Sequence, residues 1–409
     1  MTERELIPHL FRTEFSRITA VLCKAFGLEQ MEAAEDITSE TFAAALEVWP
    51  YKGIPENPTA WLYAVAKNKT RNYLKRRTTF ANKVARELQY TLSSNKEEIN
   101  LDLSARNITD SQLQMLFAVC HPSLPAEAQI GLALRILCGF GIDEIANAFL
   151  TSKETINKRL YRAKKKLRSE QIRMEAPSEE ELDNRLRTVL TTLYLLFNEG
   201  YYSESNDQVL RKDLCLEAMR LTYLLAENEL TAQPPVHALL ALMCFHSSRF
   251  EARKDDNGEI ILYNDQDTSL WNQALIAKGA RYLRQASKGD NISKYHLEAG
   301  IAWWHTVKDD TKEKWNNILR LYNQLLVTEY SPVAALNRTY ALSKVHGPNA
   351  AIAEAEKLNL TENHYYHALL GELYKNINPG KAKQYLQKAL SLAKTNADRQ
   401  IIQSSIDRL

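Results

Sequence analysis

The chain has 409 residues, 45% of them hydrophobic and 25% charged, with a net charge of +2. That length exceeds one ordinary core, so roughly two to four domains are expected. The composition is that of a soluble globular protein; no apolar run reaches the ~18 residues of a membrane span, and the charged start MTERELIPHLFRTEF predicts no export signal.

Five scattered cysteines, Cys23, Cys120, Cys138, Cys215 and Cys244, form no C-x-x-C pair. Such usage predicts buried, reduced thiols and a cytoplasmic location. Gly and Pro are scarce, at 13 and 12, and apolar residues recur with a 3.6-residue period. The predicted fold class is therefore all-α. In chain order, a first small helical domain is predicted over 1–78, a linker over 79–110 and a second small helical domain over 111–170. An acidic hinge at 173–181 then leads to a long helical domain over 178–409.

Within the first unit, AEDITSETFAAALEVW (34–49) reads as a helix. Ile37, Phe42, Ala44, Ala45 and Val48 face inward, while Asp36, Glu40 and Glu47 face out. Asn57 is placed to cap the next helix and Pro58 suits its first position. Trp61, Leu62, Val65 and Ala66 give that helix a core face, and Lys67, Lys69, Arg71, Lys75, Arg76 and Arg77 give it a basic end. Aromatic rings beside a basic helix favour single-stranded or melted nucleic acid, where bases stack and phosphates meet cations.

The basic residues are concentrated. Lys67 to Arg86 holds eight basic residues and no acidic one, and Thr151 to Arg168 holds eight basic and one acidic. A solvated helix face normally mixes signs, so segments like these suit phosphate backbones.

In the second unit, Ile142, Ile145 and Ala146 form the apolar face of a short helix that ends at Phe149 and Leu150. Thr151 with Glu154 reads as a capping box for the next helix. There, Ile156, Leu160, Ala163 and Leu167 make one buried stripe and leave Lys153, Thr155, Asn157, Lys158, Arg159, Tyr161, Arg162 and Lys165 outside it. Two helices so arranged predict a helix-turn-helix, whose second helix enters a major groove N-terminus first. Thr155, Asn157 and Lys158 would meet base edges, and the later cations would meet phosphates.

Farther on, Leu336 and Leu370, Tyr340 and Tyr374, Ala355 and Ala389, and Leu358 and Leu392 are each 34 residues apart. That is the period of tetratricopeptide helix pairs. Between 253 and 272 the pattern breaks: Asn257-Gly258 is a turn signal, EIILY is strand-like, and Asp265 and Asp267 are candidate caps for the following helix. FNEGYY (197–202) reads as a helix end stopped by Gly200.

Nothing in the sequence predicts catalysis. There is no phosphate-binding glycine loop and no H-E-x-x-H. His364 and His367 share a helix face without a third ligand, so no metal is predicted. The Cys120-His121-Pro122 corner lacks an inferable base or orienting partner. The chain is expected to be no enzyme and to need no cofactor.

AEDITSETF, WLYAVAKNKTRNYLKRR and the helix-turn-helix, in that order and spacing, resemble the two conserved domains of an extracytoplasmic-function (group 4) sigma factor of the sigma-70 family. CHPSLPAEAQIGLALRILCGF, followed by LRTVLTTLYLLFNEGYYS, is similar to the subgroup with a long tetratricopeptide-like C-terminal extension. The resemblance implies a promoter-specificity subunit with core RNA polymerase and promoter DNA, duplex and melted, as partners. Asp36, Glu40 and Thr41 would dock on the clamp coiled coil of the β′ subunit, and the β flap would be a second contact. Trp61, Lys67, Asn68, Arg71, Lys75 and Arg76 would engage the −10 element. Ser152, Lys153, Thr155, Asn157, Lys158, Arg159, Arg162 and Lys165 would engage the −35 element. The linker would thread toward the polymerase active-site channel, and the C-terminal domain would be regulatory, open to a protein or ligand. Relatives often carry Asp where this chain has Asn72. Core packing is the simpler use of Trp61.

From the residues alone a second reading stays open: a helix-turn-helix activator with a tetratricopeptide-like sensor domain, acting without being a polymerase subunit. A repeat scaffold would leave both basic segments unexplained.

Overall fold

A computed structural model describes residues 3–87, 101–149, 151–202, 211–253, 255, 261–289 and 291–409. Every regular element among them is helical. The chain divides into two compact units, Met1–Thr192 and Leu193–Leu409.

The first unit opens with α1 (Glu3–Phe26), α2 (Met31–Lys52) and α3 (Pro58–Glu87). Phe15, Ile18 and Leu22 of α1, Ile37, Phe42 and Ala45 of α2 and Leu62 and Ala66 of α3 are buried. Phe11 bridges α1 and α2, its ring 5.0 Å from that of Phe42. Asn57 accepts the Ala60 N–H at 3.0 Å, capping α3 as its sequence predicts.

A second group of helices completes this unit: α4 (Ala105–Val119), α5 (Ala126–Leu132), α6 (Ile142–Ala148) and α7 (Lys153–Ser169). A π-helical turn, Ala133–Leu137, extends α5. Helix occupies both ends of the stretch expected as linker, because α3 continues to Glu87 and α4 starts at Ala105 with Ser104 as its cap. The first half of α8 (Glu179–Tyr202) also belongs here. Arg185 donates to the Phe117 carbonyl at 2.9 Å, and Thr192 Oγ1 donates to Gln129 Oε1 at 2.6 Å.

In the second unit, α9 (Lys212–Glu227) and α10 (Pro234–Ser247) are followed by α11 (Gln273–Ala286), α12 (Lys294–Trp304) and α13 (Lys312–Thr328). Nearly every side chain of α10 from Val236 to Phe245 is buried, so this apolar helix is the core around which α9, α11 and α12 pack. The predicted repeat becomes two helix pairs: α14 (Pro332–His346) with α15 (Pro348–Leu358), and α16 (His364–Tyr374) with α17 (Pro379–Leu392). Leu336 and Leu370 are both buried, as are Ala355 and Ala389. A terminal α18 (Asn396–Asp407) packs on α17.

Three expectations need correction. Gly200 does not end α8, which runs on to Tyr202; a Cβ there would lie 2.7 Å from Cys215 Sγ, so Gly200 permits close approach of α9. Ser152, not Thr151, caps α7 by accepting the Thr155 N–H. Asn272 caps α11, while Asp267 caps only a 3₁₀ turn at Thr268–Leu270. Asn257, Gly258, Glu259 and Ile260 lie outside the described residues; of the rest of EIILY, Ile261 and Leu262 are not strand and Tyr263 opens a 3₁₀ turn, Tyr263–Asp265.

Candidate nucleic-acid interface

Helices α6 and α7 form the expected helix-turn-helix. Glu144 accepts the Gly141 N–H at 2.7 Å, fixing the start of α6, and the Thr151 N–H donates to Ala146 O at 3.0 Å across the turn. Ile156, Leu160, Ala163 and Leu167 are all buried, so the rest of α7 has one possible outward side. Thr155, Asn157, Lys158, Arg162 and Lys165 are exposed there. Ser152 is also exposed, but its hydroxyl is engaged as the cap.

The outward cations are not equivalent. Lys153 pairs with Asp143 at 2.7 Å, and Arg159 pairs with Glu127 at 3.2 Å. Among the described residues, Lys158, Arg162 and Lys165 make no ion pair with protein. Thr155, Lys158, Arg159 and Arg162 line a groove of about 420 Å³ against Leu124, Pro125 and Glu127. Basic side chains beside a helix N-terminus offer a phosphate both a charge and N–H donors.

On α3, Lys67, Arg71 and Lys75 are exposed at four-residue spacing, with Asn68, Asn72 and Arg76 on the adjoining ridge. Thr70 is turned inward, its hydroxyl donating to Ala66 O at 2.8 Å. Trp61 is half-buried with its ring 5.4 Å from Trp49, edge to face, so core packing holds it in place. On α2, Asp36 and Glu40 are exposed, and Glu40 pairs with Lys69 at 3.0 Å. Thr41 is fully buried and donates to Ile37 O at 2.8 Å, so it presents no side chain to a partner.

Residues outside the expected set join the two helical groups of this unit. Glu35 is buried and receives Arg135 Nε at 3.0 Å and Lys164 Nζ. Arg12 pairs with Glu144 at 3.2 Å, Arg168 with Glu32 at 3.9 Å, and Gln112 Nε2 donates to Ser16 Oγ at 3.1 Å. By sequence Lys164 resembles one more phosphate-facing lysine. Its place beside the stripe, next to Leu160 and Ala163, is the one available signal of its inward role.

The other candidates resolve simply. Cys120 is buried and its thiol is pushed up to about 12, chiefly by burial. His121 Nδ1 meets the Ser123 hydroxyl at 2.9 Å. His367 meets the Thr361 carbonyl at 2.7 Å, and His364 lies 3.4 Å from Asp398. No group of three metal-ligating side chains occurs among the described residues. No helix among them is long and apolar enough to cross a membrane.

A helix-turn-helix beside a second lobe with a basic outer helix defines a protein that reads DNA. Residues 10–80 match Sigma-70 region 2, and residues 114–167 match Sigma-70, region 4. Residues 185–287 match DUF6596, a family of unknown function. A protein of Rhizobium meliloti (strain 1021), described as uncharacterized, is 34% identical over 383 residues, covering 93% of this chain and 90% of that one. No solved structure matches. The chain belongs to the same family as that protein: it is an extracytoplasmic-function-type sigma factor with a C-terminal extension, and its role is promoter recognition.

Proposed function

We propose that the chain binds core RNA polymerase and directs it to promoters with −10 and −35 elements, acting in the cytoplasm. The observation that carries this reading is the pair of solvent-facing basic helices, α3 and α7, on separate helical groups that both match sigma-70 regions. Cations along α3, with Asn68, engage the −10 element as it opens. The exposed side of α7 reads the −35 duplex, with Thr155, Asn157 and Lys158 toward bases and Arg159, Arg162 and Lys165 toward phosphates. Asp36 and Glu40 form the face that docks on the β′ clamp coiled coil, and the helix-turn-helix group, α4 to α7, meets the β flap.

Reconstitution tests this. Purified chain with core polymerase should start RNA from a −35/−10 promoter that core alone ignores. Tight duplex binding by the free chain, with no transcript when core is added, would favour the independent activator instead. Asp36→Lys should weaken polymerase binding while leaving helical content intact; retained affinity removes α2 from the docking face.

The C-terminal unit regulates this activity. Its helix pairs supply a surface of the kind that repeat domains offer to partners. Removing it at the Thr192 boundary should change promoter output, and unchanged output would exclude the regulatory role.

A further inference from the structure

A cluster of cations and aromatic rings in the second unit lies outside the residues that match the sigma-70 regions. Tyr263 is its hub. Arg249 Cζ lies 5.4 Å from that ring's centroid, and Lys308 Nζ and Lys314 Nζ each lie 5.1 Å away. Trp271 is 6.2 Å from Tyr263, ring to ring, and His305 is 5.2 Å away. Arg249 is 9% exposed and Lys314 1%.

Two of these cations have evident structural work. Lys308 donates to the carbonyls of Tyr263, Asn264 and Gln266 at 2.7, 2.9 and 3.1 Å, fastening the loop before α11. Lys314 donates to the Val307 carbonyl and the Tyr263 hydroxyl at 2.5 and 2.9 Å. Arg249 is different. Its Nη2 lies 3.5 Å from the Tyr201 hydroxyl, at the limit of a hydrogen bond, and its buried Nε has no acceptor.

Nearby polar atoms share that condition. Trp271 Nε1 is buried without an acceptor, and Gln266 Oε1 is buried without a donor. His305 Nδ1 is likewise unpartnered. The neighbouring carboxylates serve other groups: Asp310 takes Trp315 Nε1 and Lys344 Nζ, its charge and that of Asp309 reach Lys314, and Glu251 pairs with Lys212 at 2.5 Å. Among the described residues, no ion pair neutralises Arg249, Lys308 or Lys314. Burial, with the charges of Arg249 and Lys314 added, drops His305 to about 3, which agrees with a positive local potential. Buried charge and unpaired buried polar atoms are both costly, and one anion would relieve them together.

We propose that this cluster binds a small oxyanion carrying a hydroxyl, either a hydrogen phosphate or a hydroxycarboxylate. Arg249 Nε and Trp271 Nε1 donate to its oxygens, and its O–H donates to Gln266 Oε1. The inference concerns occupancy of the C-terminal unit alone, so its failure would leave the promoter reading untouched.

Thermal unfolding of the full chain tests it, with chloride replaced at constant ionic strength by inorganic phosphate, malate or sulfate. Sulfate stabilises proteins generally but has no O–H near neutral pH. A saturable rise in Tm with millimolar phosphate or malate, exceeding that with sulfate, is expected and tells which anion class is bound. Arg249→Met should abolish the excess, and Lys212→Met should retain it. Should Arg249→Met not fold, Gln266→Met takes its place, with at least a tenfold weaker response expected. The proposal is overturned if phosphate and malate act no differently from sulfate, or if the folded variant responds as the wild type does.

Discussion

Glu35 Oε1 accepts Arg135 Nε at 3.0 Å, while its other oxygen takes Lys164 Nζ, so one buried carboxylate of α2 holds two cations from the second helical group. Arg135 also donates to the Phe140 carbonyl at 3.2 Å. Removing the carboxylate would leave two part-buried charges without their acceptor. Breaking such an arrangement typically costs about 3 kcal/mol. Glu35→Gln keeps the side chain's size and removes its charge, so a lower urea midpoint is expected. A midpoint equal to that of the wild type would show that the two groups separate readily in solution.

The same geometry sorts the basic residues of α7. Removing one cation that neutralises a phosphate should flatten the dependence of log K on log salt by about one. Arg162 is exposed and unpaired with protein among the described residues, so Arg162→Ala should give that change on a −35 duplex. Arg159→Ala should give less, because Glu127 already offsets its charge. Lys164→Ala should leave the slope unchanged. A flattening with Lys164→Ala equal to that with Arg162→Ala would show that DNA binding frees Lys164 from Glu35.

These contrasts mark how far the sequence could be read. The stripe Ile156, Leu160, Ala163 and Leu167 was legible because burial imposes a helical period on apolar residues. Asn57 as a cap was legible because capping is a local matter, settled within a few residues. Charged residues carry no such period. Glu35 and Lys164 pair across 129 positions, and nothing local separates Glu35 from the exposed Asp36, or Lys164 from Lys165. Thr41 fell on the inner side of α2 one residue after Glu40, a difference set by helix rotation and not by polarity. Gly200 was misread because a glycine needed for helix–helix contact looks, in one sequence, like a helix stop.

That glycine gives a test in which two known effects oppose each other. Alanine in place of a glycine within a helix ordinarily stabilises by up to about 1 kcal/mol, less in a last turn such as that of Gly200. At Gly200 the new Cβ would meet Cys215 Sγ at 2.7 Å and the Arg211 carbonyl oxygen at 2.9 Å. The second neighbour is backbone, and its residue's N–H donates to Gly200 O at 2.8 Å, so it cannot move away freely. Overpacking of this kind costs roughly 1–3 kcal/mol, so the steric term should win. Gly200→Ala is expected to lower Tm; a higher Tm would mean that α9 can withdraw from α8 at no cost.

Glu298 should make stability depend on pH near neutrality. Burial raises its carboxyl to about 7, against the partial counter-effects of the Tyr194 hydroxyl at 3.1 Å and the Lys294 ammonium. Its ordinary value is 4.5, so between 4.5 and about 7 the folded chain binds more protons than the unfolded chain. The stability this group contributes is therefore fully present below about 4.5 and is lost as pH rises through about 7. Buried His246 and His305, held low, act in the opposite sense, since acid must charge them. Comparing the wild type with Glu298→Gln cancels their effect because both proteins carry them. The variant's Tm should gain on the wild type from pH 5 to about pH 7 and level off by pH 8. Parallel Tm profiles across that range would show that Glu298 is ionised in the folded chain throughout.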